Sequence, residues 1–283
     1  MIGGSNVTNE RTLGKRLQIA RQNAQLTQQG LCAKANLSYS TLAKIERGAI
    51  KSPSIFTIQA IAEALNVGLD ELMGFNPTNI QYKTSKSGLE FIYFDINGCL
   101  VRFFERAFST IARDYHTTAD IIESVFWRYN DECSKGIVSL DDFNKSLADA
   151  IQTNSINWQD YYLKAVEIVK PMQELLEWTS QNYHFGILSN SMPGTINAMF
   201  ENGLLPKLNY DVIIDSSEVG SIKPDPIIYD LATRKALIEP AKILLIDDTK
   251  ANLVAAEKKG WHVIWFDYAN PEETSETIKQ VLL

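Results

Sequence analysis

The chain has 283 residues, of which 45% are hydrophobic and 22% charged. That balance is the one ordinary globular proteins have, and it excludes intrinsic disorder and collagen-like repeats. A net charge of −7 over the whole chain, taken alone, argues against a nucleic-acid binder, and no apolar run reaches the ~18 residues that a membrane-spanning helix needs.

Residues 12–73 read as short helices separated by tight turns. Leu13, Leu17 and Ala20 recur at helical spacing, as do Leu42 and Ile45, then Ile58, Ile61, Ala62 and Leu65. Thr27 and Ser38 stand where helix N-caps belong, Gly48 and Gly68 follow helix ends, and Pro53-Ser54 opens the next helix. Ala33 is expected where two helices cross closely, and Leu37 is expected to enter the core after the turn. The pattern breaks at Gly74–Asn79, and a polar stretch runs from Tyr82 to Gly88. The expected boundaries are a helical domain over 10–74, a linker over 75–89 and a second domain over 90–283.

After Leu89, short apolar runs appear at Phe91–Phe94, Phe185–Leu188, Val212–Ile214, Ile243–Ile246 and Val263–Phe266. Helical segments such as Met172–Ser180 and Ala251–Lys259 lie between most of them. Alternation of this kind predicts an α/β fold, with a Rossmann-like parallel sheet covered on both faces. The interval 102–168 reads as helical with no strand run, an insertion after the first strand.

Charge divides the chain at the same place. Residues 1–76 carry eight basic and five acidic side chains, a balance of +3, which leaves −10 on the remainder. A small basic unit beside a larger acidic one is consistent with nucleic-acid contact by the first. Cys32, Cys99 and Cys133 form no CxxC pair, and His116, His184 and His262 show no ligand spacing. The first ten residues have neither the basic flank nor the apolar core of a signal peptide. These features predict a reduced, cytoplasmic protein without disulfides or zinc.

Two constellations carry chemistry. The first runs from Leu26 to Gly48, with Leu42 and Ile45 buried and Tyr39, Ser40, Lys44 and Arg47 on the open face of one helix. This stretch, with its continuation to Leu72, resembles the Cro/C1-type (XRE) helix-turn-helix family. The resemblance implies that the second helix of the motif lies in the major groove of double-stranded DNA. Tyr39, Ser40 and Lys44 would then read bases, and Gln28, Ser38 and Lys51 would contact phosphates. It also implies a homodimer on a palindromic site.

The second constellation has four parts in order. They are Phe91-Ile-Tyr-Phe-Asp-Ile-Asn-Gly-Cys-Leu100, Gly186-Ile-Leu-Ser-Asn-Ser191, Ser221-Ile-Lys-Pro-Asp-Pro-Ile-Ile-Tyr229 and Ile243-Leu-Leu-Ile-Asp-Asp-Thr-Lys-Ala-Asn-Leu-Val-Ala-Ala256. Each places a carboxylate, hydroxyl or lysine at a strand or loop end, where open parallel sheets gather ligands. A carboxylate nucleophile can accept a phosphoryl group, and magnesium, a hydroxyl and a lysine can hold its oxygens. The set resembles the haloacid dehalogenase (HAD) superfamily over 90–283. By that resemblance Asp95 is the nucleophile and a Mg2+ ligand, and Ser189 and Lys223 hold the phosphate. Asp248 and Asp247 complete the metal site with the main-chain carbonyl of Asn97, and 102–168 is a helical cap.

The sequence departs from that family at Asn97, where its phosphatases carry a second aspartate that transfers protons. General acid–base catalysis contributes ~10²–10⁴-fold, so turnover falls while binding survives. The reading that follows is a DNA-binding transcriptional regulator. Its HAD-like domain senses a phosphorylated small molecule or dimerises, with weak or absent catalysis. The alternatives are a working phosphatase or dehalogenase that carries a DNA-binding domain, and a hydrolase fold that only supplies a dimer interface.

Overall fold

The computed structural model describes residues 13–24, 26–50, 53–65, 67–69, 72 and 82–283. The chain divides into two compact units between residues 80 and 81. In the first unit the described helices are α1 (Leu13–Asn23), α2 (Gln28–Ala35), α3 (Tyr39–Glu46) and α4 (Ile55–Leu65). Thr27 and Ser38 cap α2 and α3, their hydroxyls accepting from the Gly30 and Thr41 amides at 3.0 and 3.1 Å. Ser54 does the same for α4 through the Thr57 amide, at 3.2 Å. Leu17, Leu31, Leu42, Ile45, Ile58, Ile61 and Leu65 form the core, and Leu37 packs partly buried against it.

One expectation fails here. Ala33 is exposed, so it is not where helices cross. The close approach is at Gly14 in α1, where a Cβ would stand 2.3 Å from the Ile45 carbonyl oxygen at the end of α3. Helical periodicity marks which face is buried but not which buried position is tightest.

In the second unit, five strands form one parallel sheet: β1 (Phe91–Phe94), β4 (His184–Ser189), β5 (Val212–Asp215), β6 (Ile243–Asp247) and β7 (His262–Trp265), in the order β5-β4-β1-β6-β7. Alternate side chains feed opposite faces, as the two-residue strand period requires. Ile92, Phe94, Ile187, Leu244 and Ile246 join one core, and Phe91, Tyr93, Leu188, Ile243 and Leu245 join the other. Helices α9 (Lys170–Ser180), α10 (Thr195–Glu201), α11 (Ser216–Val219), α12 (Pro226–Ala236), α13 (Lys250–Lys258) and α14 (Pro271–Leu282) accompany the strands.

The insertion holds helices α5 (Arg106–Asp114), α6 (Ala119–Ser134), α7 (Leu140–Ala150) and α8 (Trp158–Ala165). Its aromatic heart is Phe108, Phe126, Phe143 and Trp158, with the Phe126 and Trp158 ring centroids 5.0 Å apart. The insertion is not wholly helical. β2 (Val101–Arg102) and β3 (Glu167–Ile168) pair antiparallel at its two ends, Val101 opposite Ile168. Two-residue strands are too short to show an alternating pattern, which is why the sequence conceals them.

Replacing Gly14 by alanine forces a methyl group into a backbone oxygen, and overpacking of this kind costs ~1–3 kcal/mol. Gly14→Ala should lower the thermal midpoint of the first unit seen by circular dichroism. Tryptophan fluorescence should not change, because all five tryptophans lie between 127 and 265.

Candidate functional site

In the helical unit, α3 buries Leu42 and Ile45 and exposes Tyr39, Ser40, Lys44 and Arg47. Tyr39, Ser40 and Lys44 therefore lie on one solvent-facing side of the expected recognition helix. Behind it is an ion pair that the sequence reading missed. Arg21 Nε donates to Glu46 Oε1 at 2.7 Å, and Arg21 Nη1 donates to the Leu26 carbonyl at 2.7 Å. Both side chains are largely buried. Gln28 joins them, its amide nitrogen donating to Glu46 Oε2 at 2.7 Å. Ser38 spends its oxygen on capping and also shares hydrogen bonds with Ser40 and Thr41. Gln28 and Ser38 thus have structural partners besides the phosphates expected for them. Lys51 lies outside the described residues.

In the α/β unit, the strand register brings the carboxyl ends of β1, β4 and β6 together. Asp95 follows β1, and its amide donates to the Ile246 carbonyl of β6 at 3.0 Å. Lys223 Nζ lies between two carboxylates, 2.8 Å from Asp95 Oδ1 and 2.6 Å from Asp247 Oδ2. All three residues are buried. Burial disfavours the lysine's charge, but Asp247 and Asp95 more than offset it and hold the ammonium protonated. Burial raises the Asp95 carboxyl, and Lys223 opposes that rise.

The Lys223 backbone is clamped as well. Asn190 Nδ2 donates to the Lys223 carbonyl, and the Lys223 amide donates to Asn190 Oδ1, both at 2.8 Å. The two oxygens of Asp247 also accept from Asn252 Nδ2 at 3.1 Å, and Oδ1 accepts from the Thr249 amide at 2.8 Å.

A cavity of about 520 Å³ opens over Asp95, Asn97, Lys223 and Asp248. Phe104, Phe126, Trp158 and Tyr162 line its cap side. Tyr162, on α8, is buried and donates its hydroxyl to Asn97 Oδ1 at 2.5 Å. Arg102 also lines the cavity. Its Nε is buried without a hydrogen-bond partner, and its guanidinium carbon lies 4.5 Å from the centre of the Phe103 ring.

These features match known proteins in two places. The haloacid dehalogenase-like hydrolase model matches residues 93–266. The chain belongs to that family. A helix-turn-helix model matches residues 17–72, ahead of the hydrolase match. The chain is therefore a helix-turn-helix domain joined to a HAD-like domain.

Among curated relatives, the immunity repressor protein of Bacillus phage phi105 is 43% identical over 63 residues, 22% of this chain and 43% of the repressor. Acyl-CoA dehydrogenase family member 10 of Mus musculus is 24% identical over 147 residues, 50% of this chain and 14% of that protein. The chain thus spans less than half the length of either. A predicted HAD-like hydrolase from Porphyromonas gingivalis superposes with a TM-score of 0.56 at 22% identity, covering 69% of this chain and 98% of that one. A HAD family enzyme from Bacteroides thetaiotaomicron, solved with magnesium and inorganic phosphate, does so with 0.53 at 17%, covering 64% and 96%. Both likenesses are of fold.

Within the HAD-like domain, the residues expected at the site separate into two groups. Asp95, Asn97, Lys223 and Asp248 line the cavity. Ser189 and Asp247 stand behind it. Ser189 is fully buried and accepts from Ser191 Oγ at 3.2 Å, and Ser191 with Asn190 takes the lining position. Asp247 faces Lys223, Asn252 and Thr249.

The carboxylates of Asp95 and Asp248 suit a small, hard cation, whereas the Cys99 sulfur beside them is a soft donor. Oxygens of Asp95 and Asp248 lie with Cys99 Sγ within 4.8 Å of one another, and carboxylate oxygens are what magnesium prefers. Gly98, with a φ of +85°, makes room for this: a Cβ there would lie 2.0 Å from Asp248 Oδ2. No helix of the described residues is long and apolar enough to cross a membrane.

Asn190, Asn252 and Tyr162 escaped the sequence reading. Asn190 sits inside the Gly186–Ser191 motif and Asn252 inside the Ile243–Ala256 motif, but neither is given a role there. Tyr162 is 65 residues from Asn97 and carries no local signal.

Lys223→Met leaves two buried carboxylates facing each other without their cation. Breaking a buried pair from one side costs ~3–5 kcal/mol. Urea unfolding followed by tryptophan fluorescence should show a loss of that size in the α/β unit.

Proposed function

We propose that the protein is a sequence-specific, DNA-binding transcriptional regulator, acting as a homodimer. In this reading its HAD-like domain binds a phosphorylated small molecule and turns it over slowly or not at all. The carrying observation is Asn97. An amide occupies the place where a proton-transferring carboxylate would stand, and its oxygen is already engaged by Tyr162. The groups that would hold a phosphate remain. Asp95 and Lys223 face the cavity at 2.8 Å from each other, and Asn190 fixes the lysine. The exposed face of α3 and the similarity to a phage immunity repressor support the DNA half of the reading.

Chemically, the residues divide the work. Lys223 neutralises phosphate oxygens and orients the Asp95 carboxylate for in-line attack. Asp247 and Asn252 position Lys223. Asp95, Asp248 and the main-chain carbonyl of Asn97 would hold Mg2+, which when bound supplies charge neutralisation at the phosphate oxygens. The aromatic cap wall excludes water and accepts the organic part of the ligand. The intact Asp95–Lys223 pair is also what favours the second reading, a working phosphatase or dehalogenase that carries a DNA-binding domain.

On the DNA side, the affinity for duplex DNA should fall steeply with rising salt, since counterion release drives phosphate contacts. Lys44→Ala should cost ~1–3 kcal/mol at preferred sites and much less on random sequence. Fluorescence anisotropy titrations at several salt concentrations check both. Salt-independent binding, or none at low salt, would remove the regulator reading.

On the hydrolase side, Asn97→Asp places a carboxylate at the same point, with the Tyr162 hydroxyl still able to donate to it. Hydrolysis of a small phosphomonoester should rise by ~10²–10⁴-fold, the worth of a general acid–base group. Vigorous wild-type turnover would instead promote the phosphatase reading.

A further inference from the structure

We propose that Asp95 is a phosphoryl acceptor whose aspartyl-phosphate persists, so that acyl phosphates are registered by covalent modification of the domain rather than by turnover. The inference rests on the reading of this cavity as a phosphate site and says what state the ligand takes there.

The two halves of the reaction make different demands. In the first, an oxygen of Asp95 attacks phosphorus, and the bond from phosphorus to the leaving oxygen breaks. When the donor is an acyl phosphate, the leaving group is a carboxylate. It departs with the electron pair as a stable anion and needs no proton. Lys223 Nζ, 2.8 Å from Asp95 Oδ1, is placed to balance charge on the transferring group. Everything this half-reaction requires of the chain is present.

The second half differs. Water must attack the phosphorus of the aspartyl-phosphate, giving up a proton while the Asp95 carboxylate leaves. Asn97, two residues after Asp95, lines the same cavity, and an amide has no capacity to take that proton. Its Oδ1 also accepts from Tyr162, whose hydroxyl reaches down from the cap. Of the other carboxylates that line the cavity, Asp248 belongs to the cation-holding set and accepts from Thr249 Oγ1 at 3.1 Å. Glu105 sits on the connection into the cap and is exposed. The site is thus equipped to load a phosphoryl group and poorly equipped to discharge it. An alkyl phosphomonoester, whose alkoxide leaving group does need a proton, should load slowly.

Intact-mass spectrometry of the full chain, incubated with magnesium and acetyl phosphate, tests this. Wild type should gain the mass of one phosphoryl group, labile to hydroxylamine as acyl phosphates are, and peptide mapping should place it on Asp95. Asp95→Asn should gain none. In Asn97→Asp the adduct should decay ~10²–10⁴-fold faster than in wild type, the rate that a general base contributes. A wild-type adduct as short-lived as that of Asn97→Asp overturns the proposal. No adduct on wild type, with inorganic phosphate still bound by calorimetry, also overturns it but leaves the ligand-binding reading standing. No adduct together with no phosphate binding removes both.

Discussion

A single buried ammonium organises the HAD-like domain. Lys223 has almost no exposed surface, and neither do Asp95 and Asp247, the two carboxylates it bridges. An isolated charge at such depth would be prohibitively costly, so each of the three exists there because the others do. The arrangement also fixes position. The lysine arrives on the loop before α12, while its carboxylates end β1 and β6, two neighbouring strands of the sheet. Asn190, following β4, closes the clamp from the other side. Four segments far apart in sequence are thereby held to one point, and the Asp95 carboxylate is fixed in place by the fold itself.

The helix-turn-helix domain solves a similar problem with a smaller device. Arg21 near the end of α1, Gln28 at the start of α2 and Glu46 at the end of α3 share one cluster of hydrogen bonds. Apolar contacts along Leu17, Leu31, Leu42 and Ile45 supply burial but allow helices to slide. A directional, charge-assisted link does not, and it sets the axial position of α3 against its neighbours. Gly14 permits that closeness by presenting no side chain to the Ile45 carbonyl. The exposed row of Tyr39, Ser40 and Lys44 stands on a helix held in this way.

Much of this could be read directly from the chain, for physical reasons that differ by residue. Strand cores were legible because runs such as Ile243–Ile246 are apolar on both faces of a covered sheet, and Asp95 and Asp248 because a polar group must end such a run. Caps at Thr27 and Ser38 were legible because the backbone demand they meet is local. Tyr162 was not, since its partner lies across the cavity on another structural layer. Nor was the Arg21–Glu46 pair, whose members are 25 residues apart. Ser189 and Asp247 were placed on the right strands, but sequence could not tell a side chain facing the cavity from one holding its wall. Register along β4 and β6 decides that.

The short ribbon of β2 and β3 bears on how such a protein can change over generations. Chain entry to the cap and chain exit from it lie side by side, Val101 against Ile168 and Arg102 against Glu167. The roughly 64-residue excursion between them therefore behaves, for the sheet, as one long hairpin loop, and loops that leave and return at the same place tolerate exchange. A different set of helices could be grafted at this stem without disturbing the pairing of β1 with β4 and β6. The strand-end carboxylates and the aromatic cap wall are consequently carried by separable stretches of the chain.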